Sequence, residues 1–335
     1  MKSAGEDSAG AKPGMKVQPA SKRSGLVWPG IGAGLVALGL GVVGWVFWPG
    51  KAPSVSVPVV ATAPAGVIAI QTASEDQILR QSAAGFAIYR LTTNPRILVL
   101  DFQSLREQGL MLNRIGAFAE KAKLPRDHVL TDAELAKVIT DGGDTTETFY
   151  YGHDYSARTL ARFFALADRD HIPLNPQEEW LRRLLRQEGW FAPDVLGGLI
   201  SIPHAGADAH VSAEARRTIL HHELSHGEYF SNPVYTAYVH QFWRSVLTPR
   251  EADNIRKHLG SESYDTALDD LMENEMQAYL MFTDNPDFFT PAMIHMSPAR
   301  LGELRAQFMR AIPVAWLRPT DAPQAAAVSA KVPAR

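Results

Sequence analysis

Between Gly25 and Trp48 the chain (GLVWPGIGAGLVALGLGVVGWVFW) carries no charged side chain, and this run limits the possible folds more than any other feature. As a helix it reaches roughly 36 Å at about 1.5 Å per residue, enough to cross a hydrocarbon layer of about 30 Å. The run therefore predicts one transmembrane helix, with Trp28, Trp45 and Trp48 near its two ends, where indole rings prefer the membrane interface. Lys12, Lys16, Lys22 and Arg23 precede it and only Lys51 follows closely, a bias that keeps the N-terminus in the cytoplasm and puts the bulk of the chain outside, in a periplasmic or extracellular space. A cleaved signal peptide is the competing reading, because Ala61-Thr62-Ala63 has the small-residue spacing of a cleavage site. That site lies too far past the apolar run, which is itself too long for the hydrophobic part of a typical signal. Gly32, Gly34, Gly39 and Gly41 do not form a nucleotide-binding fingerprint, since no strand-turn-helix unit surrounds them; they leave room for a second membrane helix to pack closely.

Whatever folds in water must then lie downstream. Residues 1–24 read as a disordered cytoplasmic head, 25–48 as the membrane helix, 49–66, with four prolines among small residues, as an extended linker, 67–318 as one folded domain, and the Ala- and Pro-rich 319–335 as a disordered tail. Val67 to Gln71, Ile97 to Phe102 (ILVLDF) and Leu199 to Ile202 (LISI) are short apolar runs bounded by breakers, hence strands. Helices dominate the rest. Thr131-x-x-Glu134, Asn175-Pro176-Gln177-Glu178 and Thr248-Pro249-Arg250-Glu251 each place a capping side chain three residues before an acid, and Gly260 reads as the stop of the third helix. Ser297-Pro298 starts a last helix that runs to about Ile312. The fold class is mainly α, an α+β domain with a small sheet.

Composition narrows the chemistry. A formal charge of -3 with both signs interspersed offers no basic surface for nucleic acid. The chain has no cysteine, which removes disulfides, thiolate ligands and cysteine nucleophiles together. A bound transition metal must be held by His, Asp or Glu.

Ser212 to Phe230 (SAEARRTILHHELSHGEYF) reads as one helix and contains His222-Glu223-Leu224-Ser225-His226, the H-E-x-x-H spacing. Four residues along a helix amount to about 400°, so the two imidazoles emerge one above the other and can share an ion, with Glu223 about 100° away beside it. The bare pattern arises by chance often enough that its setting has to decide. Ala215, Ile219, His222, His226 and Tyr229 follow the spacing of a buried stripe, which puts both histidines where leucine would ordinarily sit. Burying two imidazoles and a carboxylate without partners costs several kcal/mol. The bland alternative is a pair of core histidines satisfied by neighbouring hydrogen bonds.

Tetrahedral zinc needs a third protein ligand and an open position for water. The longer pattern H-E-x-x-H-x-x-G-x-x-H would need glycine and histidine where Tyr229 and Asn232 stand, so the metzincin arrangement is excluded. Tyr264 to Phe282 reads as a later helix in which Leu268, Leu271, Glu275, Ala278 and Phe282 form an apolar stripe, whereas Glu273 shares a face with Asp269, Asp270 and Gln277. An acid alone in an apolar stripe wants a cation, which favours Glu275 over Glu273. Ala278 and Gly227 would let the two helices approach closely.

His222-Glu223-Leu224-Ser225-His226 followed by Glu275-Met276-Gln277-Ala278-Tyr279 resembles the gluzincin group of metallopeptidases, to which thermolysin-like and membrane-anchored relatives belong. The resemblance covers roughly residues 199–282. Tyr279 stands where many members carry an acid. What the resemblance implies is a zincin-like helical active-site domain, zinc held by His222, His226 and Glu275, Glu223 as general base, and an upstream strand, here Leu199 to Ile202, that pairs with extended substrate.

The expectation is a membrane-anchored zinc hydrolase that cleaves peptide or protein substrates, a peptidoglycan crosslink or another amide. The alternative is a degenerate domain that binds metal as a sensor or scaffold. Tyr229, Tyr235, Tyr238, Tyr264 and His240 are candidates for stabilising the oxyanion. His221 points away from the ion, and Tyr150, Tyr151 and His153 form a polar aromatic cluster that reads as a capping loop more readily than as a cleft wall.

Overall fold

The computed structural model describes residues 66–81 and 85–313. The expected head, membrane helix, tail and nearly all of the linker concern residues outside these; among the described residues no helix is long and apolar enough to cross a membrane. In chain order the elements are β1 (Gln71–Ala73), α1 (Glu75–Arg80), β2 (Ala87–Leu91), β3 (Ile97–Phe102), α2 (Leu105–Ala119), α3 (Asp132–Asp141), β4 (His153–Ser156), α4 (Ala157–Arg169), α5 (Pro176–Gln187), β5 (Gly198–Pro203), α6 (Ala213–Ser231), α7 (Pro233–Ser245), α8 (Pro249–Ser261), α9 (Asp269–Phe282), a single 3-10 turn over Pro291–Ile294, and α10 (Pro298–Ala311). The class is mainly helical α+β, as the sequence implies.

The strands form one mixed sheet in the order β1-β2-β3-β5-β4, with β1 parallel to β2, β3 parallel to β5, and the remaining pairs antiparallel. Every residue of β3 and β5 is buried. Their alternate side chains serve two cores: Ile97, Val99, Ile200 and Ile202 pack with α6 and the helices after it, while Leu98, Leu100 and Leu199 pack with α2, α4 and α5. A strand covered by helices on both faces reads as an unbroken apolar run, which is why ILVLDF and LISI were visible as strands.

Capping chemistry sets several helix starts. Thr131, Asn175 and Thr248 each accept a hydrogen bond from the backbone N–H three residues on, and Glu134, Glu178 and Glu251 reach back to the cap, so α3, α5 and α8 begin where the sequence places them. Three boundaries differ. The strand expected over Val67 to Gln71 forms later, as β1 at Gln71–Ala73. Gly260 does not stop α8, which runs to Ser261; the left-handed residue of the reversal is Ser263, at φ 69°. The helix expected from Tyr264 starts only at Asp269, because Tyr264 is held in a bridge to Lys121 and Asp265 donates its N–H to the Glu120 carbonyl.

Helix α6 lies directly on the sheet. A Cβ at Gly198 would sit 2.8 Å from Gly227 Cα, and one at Gly227 would sit 3.0 Å from Ile97 Cδ1. Gly227 therefore serves contact with β3 and β5, not the approach of α9 that its place in the sequence suggested. At the other end of α6, Arg216 donates to both oxygens of Asp101 at 2.7 and 2.9 Å, to the Pro203 carbonyl at 2.7 Å and to the Ile78 carbonyl at 3.0 Å. A buried pair with all four terminal N–H groups of the guanidinium used is a directional clamp, and it fixes which face of α6 meets the sheet.

Candidate metal centre

Sandwiched between the sheet and α9, α6 is buried almost all round from Ala215 to Ser231, so its polar residues must find partners inside the protein. His222 is 2% exposed, Glu223 1% and His226 0%. The two Nε2 atoms face each other at 3.1 Å. Glu275 of α9, 1% exposed, brings Oε2 to 4.0 Å from His222 Nε2 and Oε1 to 3.9 Å from His226 Nε2. A tetrahedral ion with bonds of about 2.1 Å holds its ligand atoms about 3.4 Å apart, and the observed separations bracket that value. The three residues that the sequence singled out as ligands thus converge.

Glu273, the rejected acid, is also buried, at 6% exposure, although Asp269 and Asp270 on the same face are exposed. It is satisfied by His240 of α7, its close ion-pair partner, and does not belong to the centre.

Protonation follows from the neighbours. Thr283 donates its hydroxyl to the Ala278 carbonyl at 3.0 Å, so toward His222 Nδ1, 2.9 Å away, it can only accept. This fixes the His222 proton on Nδ1 and leaves the Nε2 lone pair aimed at His226. Burial, reinforced by His226 and His221, holds the His222 pKa well below its ordinary value, and burial pushes His226 down to about 4 against a hydrogen bond that its ring donates to Asn274. Both rings are neutral at neutral pH, the form that binds metal. Tyr279 stacks edge-on against His222 with ring centres 4.9 Å apart, so the tyrosine at the position of the missing acid braces the ring by packing.

The acids show the opposite deficit. Glu223 and Glu275 are pushed up first by burial, then by each other's neighbours Asp154 and Glu120. Tyr264, through a hydrogen bond to Glu275, and Lys121 offset part of this. Glu223 Oε2 and Glu275 Oε2 are buried without a hydrogen-bond partner. Carboxylates crowded together beside imidazole lone pairs are the donor set a divalent cation satisfies, and the cation removes the reason for their raised pKa values.

Asp154 escaped the sequence reading. It lies on β4, paired with Ile200, so period-two alternation turns it to the α6 side while His153 and Tyr155 face α2. Its Oδ1 stands 3.7 Å from His226 Nδ1, and its carboxyl is pushed up to about 7 by burial. A four-residue strand in which aspartate alternates with buried histidine and tyrosine has no apolar signature to find it by. Asp154, Glu223 and His226 form a second group whose ligand atoms all lie within 4.8 Å of one another. Neutral His226 has one lone pair, so it can serve one group at a time. The fixed tautomer of His222 favours the first: His226 then offers Nε2 and turns Nδ1–H toward Asp154, the orientation in which a carboxylate steadies a metal-binding imidazole.

Other expectations resolve differently. Strand β5 is hydrogen-bonded on both sides, to β3 and β4, and has no free edge for substrate; the edge strand beside the centre is β4. Four of the five oxyanion candidates are committed elsewhere: Tyr229 donates to Asp270 at 2.7 Å, Tyr235 to Gln277 at 2.8 Å, Tyr238 to the Phe308 carbonyl at 2.7 Å, and His240 pairs with Glu273. Tyr264 alone touches the centre, through Glu275. His221 bonds Glu75 at 3.0 Å, away from the ion position. His153 is no capping residue: it is buried among Gln108, Ser201 and Asn113.

The chain matches no family model, no curated protein and no solved structure.

Proposed function

We propose that the chain is a membrane-anchored zinc-dependent hydrolase, a metallopeptidase of gluzincin-like organisation whose zincin-like helical domain cleaves peptide or other amide bonds outside the cytoplasm. The observation that carries this reading is the convergence of two imidazole nitrogens and one carboxylate from a separate helix, with a second, unpartnered carboxylate, Glu223, alongside. A pure structural or storage site has no use for that fourth group. The donor set of two nitrogens and one oxygen without thiolate suits zinc with an open coordination position.

His222, His226 and Glu275 would hold the ion. Bound there, zinc supplies a Lewis acid that polarises a carbonyl and makes water acidic near neutral pH. Glu223 accepts the proton of the attacking water and returns it to the leaving nitrogen. Asp154, with a side chain 12% exposed, is the most open of the five residues, and this supports an approach of substrate from the β4 side.

The test is cleavage of a peptide library by the full-length chain. Expected is turnover that a zinc chelator abolishes and added zinc restores, and that falls roughly 10²–10⁴-fold in Glu223→Gln while the metal stays bound. Unchanged turnover in Glu223→Gln contradicts the catalytic role. Bound zinc with no cleavage of any peptide points instead to a metal-binding sensor or scaffold.

A further inference from the structure

Gly152 ends the loop that leads into β4 and is buried. Its backbone needs no glycine, since its φ is not among the positive values. A Cβ built there meets Glu223 and nothing nearer: 2.7 Å from the carboxyl carbon Cδ, 3.1 Å from Cγ, and closer still to Oε1. Carbon atoms that are not bonded settle at about 3.5–4.0 Å, so a methyl group at 152 and the Glu223 carboxylate cannot occupy their places together.

From this we infer that Gly152 is a positioning residue for Glu223: the bare backbone at 152 is the wall against which the carboxylate rests, and any side chain there swings the carboxylate away from the metal centre. The inference rests on the proposed role of Glu223. The wall is built from the sheet, because Gly152 immediately precedes His153, whose pairing with Ser201 and whose hydrogen bonds to Gln108 and Ser201 pin the start of β4. Glu223 has no hydrogen bond to hold Oε2, so steric support is what remains to orient it. The struck atoms are the far end of a flexible side chain. A methyl group at 152 is therefore relieved by rotating Glu223, which costs the fold little and the chemistry much.

The experiment is Gly152→Ala, alone and combined with Glu223→Gln, in the full-length chain. Gly152→Ala is expected to keep one equivalent of zinc and a KM close to wild type, while kcat falls roughly 10²-fold or more, within the range that a general base contributes. In the Glu223→Gln background the same substitution should change kcat less than about twofold, since two changes that remove one group do not add. With cobalt(II) in place of zinc, Gly152→Ala should shift the visible absorption bands as Glu223→Gln does. A wild-type kcat in Gly152→Ala, an equal loss in both backgrounds, or an unshifted cobalt spectrum overturns the inference. If Gly152→Ala does not fold, Gly152→Ala combined with Glu223→Ala, which deletes all three struck atoms, is expected to fold, and its failure overturns the inference as well. Absence of peptide cleavage by the wild type defeats the proposed function alone; the cobalt spectra and the folding of the double variant still decide the role of Gly152.

Discussion

On the α2 side of the sheet Arg114 is buried at 2% exposure and surrounded by acceptors: Glu178 at 2.9 Å, the Leu130 carbonyl at 2.9 Å, the Pro173 carbonyl at 3.4 Å, and Asp132. On the α6 side Glu223 and Glu275 are buried just as deeply, with Glu120 and Asp154 near them; Lys121 offsets part of the charge on Glu275, and Lys121 and Arg126 part of that on Glu120. The first cluster supplies its own cation, and Arg114 donates to four acceptors. The second leaves Glu223 Oε2 and Glu275 Oε2 without a hydrogen-bond partner. Buried charge is tolerable when paired and hydrogen-bonded, so the first cluster reads as architecture and the second as a receptor for a cation.

Five substitutions break or sharpen this contrast. The largest effect is expected at the α6 cluster: His226→Ala, or Glu275→Gln, should leave no more than about a tenth of an equivalent of zinc after dialysis, measured by metal analysis, because a three-ligand site that loses one ligand no longer outcompetes buffer. Arg114→Ala should act on the other face only, costing about 3–5 kcal/mol in denaturant unfolding by leaving Glu178 buried and unpaired, with metal content unchanged. If Arg114→Ala strips the metal as well, the two clusters are not separate. Thr283→Val removes the acceptor that fixes the His222 proton and should weaken zinc binding roughly 10–100-fold in a chelator competition, with the fold intact.

The smallest effect is a pH slope. His153, in the hydrogen-bonded network facing α2, is pushed down to about 3 by burial and then by Lys121. Between the ordinary histidine range and that value the unfolded chain binds a proton that the folded one refuses, so stability is complete above about pH 6.5 and falls as the pH drops toward 3, by up to about 1.4 kcal/mol per pH unit. His153→Gln should flatten that slope in unfolding curves taken across the window. An unchanged slope assigns the acid sensitivity to other groups.

How far the sequence reaches depends on whether a residue's role is set locally. The starts of α3, α5 and α8 are written in four-residue capping patterns that need no tertiary context, and the structure has all three. The buried stripe of α6 is equally local, because Ala215, Ile219, His222, His226 and Tyr229 are one face of one helix, and all five are buried. The choice of Glu275 over Glu273 reached the acid that faces the histidines by an argument only partly right: both are buried, and what separates them is His240 on α7, a partner no spacing could reveal. Asp154 and Gly152 were illegible for the same reason. Their importance comes from strand pairing between residues far apart in sequence, with Asp154 opposite Ile200, and from a helix laid across the sheet. The late start of α9 is likewise tertiary: Tyr264 continues a helical pattern on paper, but the bridge to Lys121 pulls it out of the helix and sets its hydroxyl on Glu275.

The account stands or falls on what surrounds the metal. X-ray absorption at the zinc edge of the full-length chain, loaded with one equivalent, reads that shell directly. Two imidazole nitrogens and one or two oxygens at about 2.0–2.2 Å are expected, and His226→Ala, which no longer retains the ion, should lose that shell. A shell of oxygen alone, or a spectrum that His226→Ala leaves unchanged, would place the ion elsewhere and contradict the assignment of His222, His226 and Glu275.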